Sequence, residues 1–188
     1  MFTQVCLALK HCHDRKILHR DIKDENVFLG SGKIVKLGDF GISKVLSGTR
    51  AKVETIIGTD YCMAPEVLTG RPYNAKCDIW SLGVLLYKMA TFDRPWPIDG
   101  LPDAIEYTTQ CACPQIEGAS GQLQNLIQLC LQKSPSQRPN INSLLKTPGI
   151  YRRIGNLLNS TQFRDEFSHT VLHNQNVLDL NNRLNQRA

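Results

Sequence analysis

The run His19-Arg20-Asp21-Ile22-Lys23-Asp24-Glu25-Asn26, with Asp39-Phe40-Gly41 beginning thirteen residues after Asn26, decides how this chain is read. Asp21, Lys23 and Asn26 put a carboxylate, an ammonium and an amide at i, i+2 and i+5, close enough on one loop to converge on a single site. Such a carboxylate can accept or orient a hydroxyl proton, the ammonium can neutralise phosphate charge, and the amide offers a neutral oxygen to Mg²⁺. Asp39 comes directly after the strand-like run Ile34-Val35-Lys36-Leu37 and stands near Gly41, which lets the backbone turn. A carboxylate at a strand end suits a second metal ligand. A D-F-G triplet alone is noise. About eight positions matched at fixed spacing, at odds of roughly one in twenty each, are not coincidence.

Around these residues the pattern is mostly helical. Val5, Leu7, Ala8, Leu9 and Cys12 form an apolar stripe at helical spacing, predicting a helix that starts without a cap. Val27-Phe28-Leu29 and Lys33-Ile34-Val35-Lys36-Leu37 read as two short strands around Gly30-Ser31-Gly32. Gly30-Ser31-Gly32-Lys33 is a turn and not a phosphate-binding P-loop, because Val27 stands where that pattern needs Gly and Ile34 where it needs Ser or Thr. From Gly38 to Pro65 the chain is polar and without sustained periodicity, a length of loop that is more often functional than filler. Ala75 to Phe92 is apolar on most sides and predicts a buried helix; weaker helices are expected near 102–109, 120–132 and 139–146. Beyond Tyr151 the sequence turns Asn- and Gln-rich and reads as an appended tail. The expected class is mainly α with a small β element.

Composition narrows the function. Hydrophobic residues at 41% and charged residues at 21% are ordinary globular usage. A net charge of +5 without blocks of Lys or Arg argues against nucleic acid as a partner. The most apolar stretch, Ile79 to Ala90, is too short for a membrane span, and no signal peptide opens the chain. The seven cysteines have no repeating spacing; only Cys111 and Cys113 are close, as C-x-C, with no second pair or nearby histidine to complete a zinc site. They read as free thiols of a reducing compartment, so a cytoplasmic location is expected, with the nucleus as the alternative.

The chain resembles the eukaryotic protein kinases, from His19–Asn26 through Asp39-Phe40-Gly41 to Ala64-Pro65-Glu66, Asp78-Ile79-Trp80-Ser81-Leu82-Gly83 and Arg138. Asn26-Val27-Phe28-Leu29 and Lys36-Leu37-Gly38-Asp39-Phe40-Gly41-Ile42 are similar to the NIMA-related group. The resemblance covers residues 1–150, the C-terminal lobe of the protein-kinase-like fold, and leaves 151–188 as a tail of unassigned role. It implies transfer of the γ-phosphoryl of ATP to Ser or Thr of protein substrates, with ATP and Mg²⁺ as cofactors. Lys23, two residues after Asp21, is similar to the serine/threonine class. By resemblance, Asp21 orients the acceptor hydroxyl, Lys23 stabilises transferring charge, Asn26 and Asp39 hold Mg²⁺, and Phe28 forms the floor under adenine. Thr59 resembles the threonine that bridges the catalytic Asp and Lys. Thr55, four residues earlier, resembles the activating phosphosite, with Arg20 and Lys44 where the family keeps phosphate-gripping cations; the alternative is an unmodified loop threonine. Glu66 and Arg138 are expected as a buried ion pair, Asp78 as an acceptor from the loop backbone, and His19 as a satisfied core histidine.

Three kinase parts do not occur in these residues: a G-x-G-x-x-G loop, a V-A-I-K-like lysine and the helix-borne Glu that orients it. The expectation is therefore a lobe without its N-terminal partner, from an incomplete catalytic domain or a short product, the first favoured by the uncapped opening helix. Alone, it is expected to be inactive. The competing function class is a kinase-like interaction module that binds partners without turnover. Retention of Asp21, Asn26 and Asp39 together favours the enzyme.

Overall fold

The computed structural model describes residues 1–39 and 60–158. In chain order its elements are α1 (Phe2–Asp14), β1 (Val27–Leu29), β2 (Val35–Leu37), α2 (Pro65–Leu68), α3 (Lys76–Thr91), α4 (Leu101–Gln110), α5 (Gly121–Cys130), α6 (Ile141–Leu145) and α7 (Pro148–Leu157), with 3-10 turns at Asp24–Asn26, Ser31–Lys33, Asp60–Cys62 and Pro135–Gln137. The chain is thus mostly helical, with one two-stranded sheet among the described residues. Lys44, Thr55 and Thr59, along with Phe40, Gly41 and the tail beyond 158, lie outside the described residues.

The residues up to Leu144 form one compact unit centred on α3. Eleven consecutive residues of α3, Cys77 to Tyr87, are buried, as expected of a helix apolar all round. Helix α3 packs on α5, and Gly83 permits the approach. A methyl group added there would stand 2.7 Å from Cβ of Cys130 and 2.9 Å from Leu131. Helix α3 ends where Phe92 takes a left-handed conformation, φ 61°, and donates its N–H to the Lys88 carbonyl. Trp80, fully buried, stacks on Trp96 with centroids 5.7 Å apart and planes 14° from parallel.

Two elements position the site. Helix α1 buries Val5, Leu9 and Cys12 of the expected stripe together with Cys6, leaves Leu7 and Ala8 half-buried, and packs against β2. Gln4 on that helix accepts the Val35 N–H at 2.7 Å, tying β2 to it. Strands β1 and β2 pair antiparallel in the register Val27↔Leu37, Phe28↔Lys36, Leu29↔Val35. The turn between them works because Gly32 sits at φ 67°, a left-handed conformation that glycine adopts at no steric cost. This register sets Asn26 and Gly38 side by side at the strand ends, and the Gly38 N–H donates to the Asn26 carbonyl at 3.0 Å.

The second compact unit runs from Leu145 onward. Its helix α7 starts with Pro148 at the first turn, and Ile150 and Ile154, four apart, are buried on one face. The sequence reading places no helix here, although Ile150, Ile154, Leu157 and Leu158 recur at helical spacing. Helix α2 is also unpredicted, being only four residues long.

Candidate active site

Backbone before side chains builds the loop at 19–26. Asp78 stands in the first turn of α3, where the helix dipole favours a carboxylate. Its Oδ2 accepts the His19 N–H at 3.0 Å and its Oδ1 the Arg20 N–H at 2.8 Å. The same Oδ2 lies 2.7 Å from His13 Nε2, on the last turn of α1. One buried carboxylate thus holds the entry of the loop and the end of the preceding helix together. Arg20 needs that anchoring, because its backbone is left-handed at φ 69°, a cost for a residue with a side chain.

His19 is fully buried. Its Nδ1 accepts the Asp21 N–H at 3.4 Å while Nε2 lies 3.1 Å from the Gly38 carbonyl, so the neutral tautomer protonated at Nε2 bridges the loop to the end of β2. Burial holds the His19 imidazolium below the usual histidine range, against the upward pull of Asp78, the Gly38 carbonyl, Asp21 and Asp39. A histidine shifted down on folding binds fewer protons folded than unfolded. Its contribution to stability is complete above the unfolded value, about 6.5, and is lost as pH falls from there through the lower folded value. Thermal midpoints measured from pH 7.5 downward should therefore fall through this window, and His19→Gln should flatten that part of the profile. Parallel profiles for the two proteins would remove His19 as the group responsible.

Asp21, Lys23 and Asn26 meet. Asn26 is buried and its Nδ2 donates to the Asp21 carbonyl at 2.7 Å and to Asp21 Oδ2 at 3.0 Å. Lys23 Nζ lies 3.1 Å from that same Oδ2. With both amide hydrogens turned to Asp21, the Asn26 amide oxygen takes no hydrogen bond among the described residues. Asp39 joins this group through the backbone, one residue beyond the Gly38–Asn26 bond, with a left-handed φ of 52°. Its exposed carboxylate has no hydrogen bond or ion pair among the described residues. Two oxygen donors, one neutral and one anionic, suit a hard cation such as Mg²⁺, which keeps waters and phosphate oxygens in its remaining positions. Phe28 lies on β1 with half its surface exposed, its ring against Gly38, where an added methyl would come within 2.7 Å of Cε2. Glycine at 38 is what lets the ring lie there.

Further residues surround this group. The Arg20 guanidinium lies 5.6 Å from the Tyr73 ring centroid, and its buried Nε has no hydrogen-bond partner among the described residues. Arg138, 1% exposed, grips Glu66 through two bonds of 2.7 and 2.8 Å. Sequence reasoning missed Tyr61, whose hydroxyl donates to Asp24 at 3.2 Å and to Glu25 at 3.3 Å. Burial, then Cys62, Asp24 and Glu25, push its phenol up, so it remains a donor. Lys88 pairs with Asp24 at 2.7 Å and Arg94 covers the Tyr61 ring at 4.3 Å. Nothing in the spacing of Tyr61 from Asp24, 37 residues away, signals this contact. His13 and Gln4 escaped notice for the same reason, reading simply as polar positions on an amphipathic helix.

Residues 1–150 match the family model of the protein kinase domain. The chain is 44% identical over 173 residues to serine/threonine-protein kinase Nek5 of Homo sapiens, which covers 91% of the chain and 24% of Nek5. It is 40% identical over 167 residues to Nek1 of Mus musculus, covering 88% of the chain and 14% of Nek1. Against Nek4 of Mus musculus it is 36% identical over 162 residues, with 86% and 20% covered. The chain spans a quarter or less of the length of these relatives.

Proposed function

The chain belongs to the protein kinase family, with the NIMA-related serine/threonine kinases, and from that membership we propose that the protein carrying it transfers the γ-phosphoryl of ATP to Ser and Thr hydroxyls of protein substrates. The observation that carries this reading is the hydrogen-bonded group of Asp21, Lys23 and Asn26 beside Asp39. Kinases of this family use ATP with Mg²⁺, and bound Mg²⁺ neutralises phosphate charge as the γ-phosphoryl leaves.

In this proposal Asp21, oriented by Asn26 and Lys23, aligns the acceptor hydroxyl and takes its proton as the oxygen attacks. Lys23, within reach of the same carboxylate, faces the transferring charge. Asn26 and Asp39 hold the metal through the amide oxygen and the carboxylate. Phe28 offers its exposed ring face to adenine. Arg20, whose buried Nε has no partner among the described residues, grips a phosphate on Thr55 together with Lys44, and Thr59 bridges Asp21 and Lys23. Glu66, Arg138 and Asp78 hold the frame. The non-catalytic alternative gives no chemical reason for keeping Asp21, Asn26 and Asp39 in one place.

The proposal divides the nucleotide site. These residues supply its lower side, and the Gly-rich loop and paired Lys that the family uses from above do not occur among them. Residues 1–150 are therefore read as the C-terminal lobe and 151–188 as an appendage. Full-length protein given γ-labelled ATP should place label on Ser and Thr of a protein substrate. The 188-residue chain alone should bind Mg·ATP in the millimolar range or weaker, with no transfer, because one aromatic face and one metal bridge offset little more than the entropy of association. Absence of label from Ser and Thr with full-length protein would sink the activity. Micromolar binding by the 188 residues would sink the division.

A further inference from the structure

Away from Asp21, the segment after α4 carries a second group of nucleophiles. Lys133, just past α5, donates from Nζ to the Tyr107 carbonyl at 3.1 Å. Its ammonium lies 4.8 Å from the Trp96 ring centroid and 5.4 Å from that of Trp80. The Cys111 N–H donates to the same Tyr107 carbonyl, also at 3.1 Å, so the amine and the Cys111 backbone meet at one oxygen. Trp96 Nε1 donates to the Ala112 carbonyl at 3.1 Å, which fixes the Cys111-Ala112-Cys113 segment to the indole that the amine covers. Lys133, Cys111 and Cys113 are all partly exposed, and the cysteines are free. No carboxylate pairs with Lys133 among the described residues.

Burial holds the Lys133 ammonium below the usual lysine range; Cys111 and Cys113 pull it back up and Arg138 pushes it down. A half-dry amine without a carboxylate partner presents more free base than a solvated lysine. The two thiols differ. Burial pushes Cys113 up to about 11 against the pull of Lys133, which keeps it protonated, and it is the Cys111 backbone that shares its acceptor with the Lys133 amine, which makes Cys111 the entry point.

We propose that Cys111 and Lys133 form a lysine-acylation site fed by acyl thioesters, the acyl group entering on the Cys111 sulfur and passing to Lys133 Nζ. In the first step the Cys111 thiolate attacks the thioester carbonyl; the new S–C bond replaces the old one, and the donor thiolate leaves and takes a proton. In the second the neutral Lys133 amine attacks the Cys111 thioester, the S–C bond breaks, and the sulfur takes the proton the amine gives up. Nothing is oxidised or reduced. The product is a neutral amide, which removes one of the two cations that share Trp80, the other being Arg138 at 5.0 Å.

The test incubates full-length protein with acetyl-coenzyme A, without any acetyltransferase, and follows acetylation of each lysine by peptide mass spectrometry. Lys133 should acetylate about tenfold faster than the exposed Lys16 and Lys36, as a nearby thiol raises the local acyl concentration. Both Cys111→Ser and Cys111→Ala should slow Lys133 severalfold, toward the rate of those two, and Cys113→Ser should leave it fast. A Lys133 rate equal to that of Lys16 and Lys36, or a fast rate that survives loss of the Cys111 thiol, would overturn the proposal.

Discussion

Asp39→Asn in the full-length protein should lower phosphoryl transfer by about a hundredfold or more, with the thermal midpoint unchanged. Two features make this substitution a clean test of charge. Asp39 has a left-handed backbone, φ 52°, a conformation that Asn tolerates nearly as well as Asp. Its carboxylate is exposed and unpaired among the described residues, so the substitution removes no hydrogen bond or ion pair among them. What changes is an anionic oxygen becoming a neutral amide where the proposed metal needs charge neutralisation. Transfer retained above about a tenth of the wild-type rate would remove Asp39 from the metal site.

Arg138→Ala should produce the largest loss of stability of any single change considered. The guanidinium makes five hydrogen bonds: two to Glu66, and one each to the carbonyls of Gln132, Lys76 and Lys133. Both partners of the pair are buried, Arg138 at 1% exposed and Glu66 at 5%. Removing the cation strands a buried carboxylate and three carbonyls together, an effect of about 3–5 kcal/mol. For a chain of this size that lowers the thermal midpoint by roughly 10 °C. Breaking a pair from one side costs more than deleting it, so Glu66→Leu with Arg138→Met should recover much of the loss. A single-mutant loss under about 1 kcal/mol, or strictly additive losses, would contradict this account of the pair.

How much of this was legible in the sequence depends on distance along the chain. The convergence of Asp21, Lys23 and Asn26 could be read directly because all three lie within one loop; Asn26 reaches Asp21 across five residues. Helix α3 could be read because a helix buried on every side leaves an unbroken apolar run. Strands β1 and β2 could be read from two short apolar runs on either side of a glycine turn. Helix α2 could not, since four residues carry no period. The contacts of Asp78 with His13, of Tyr61 with Asp24, and of Lys133 with two indoles join positions that only packing brings together. A lysine near the end of α5 reads as a solvated charge until Trp80 and Trp96 are placed beneath it.

The central claim is that Asp21 aligns and deprotonates the hydroxyl that accepts the phosphoryl group. The most direct measurement is the initial rate of γ-phosphoryl transfer to a Ser/Thr substrate by full-length protein and its Asp21→Asn variant at saturating Mg·ATP. Asparagine keeps an oxygen for the Asn26 amide and for Lys23, so the loop should hold its shape while the proton acceptor is lost. The rate is predicted to fall by about a thousandfold with nucleotide affinity little changed. A variant that transfers phosphate at the wild-type rate would contradict the assignment of Asp21 and, with it, the reading of the whole site.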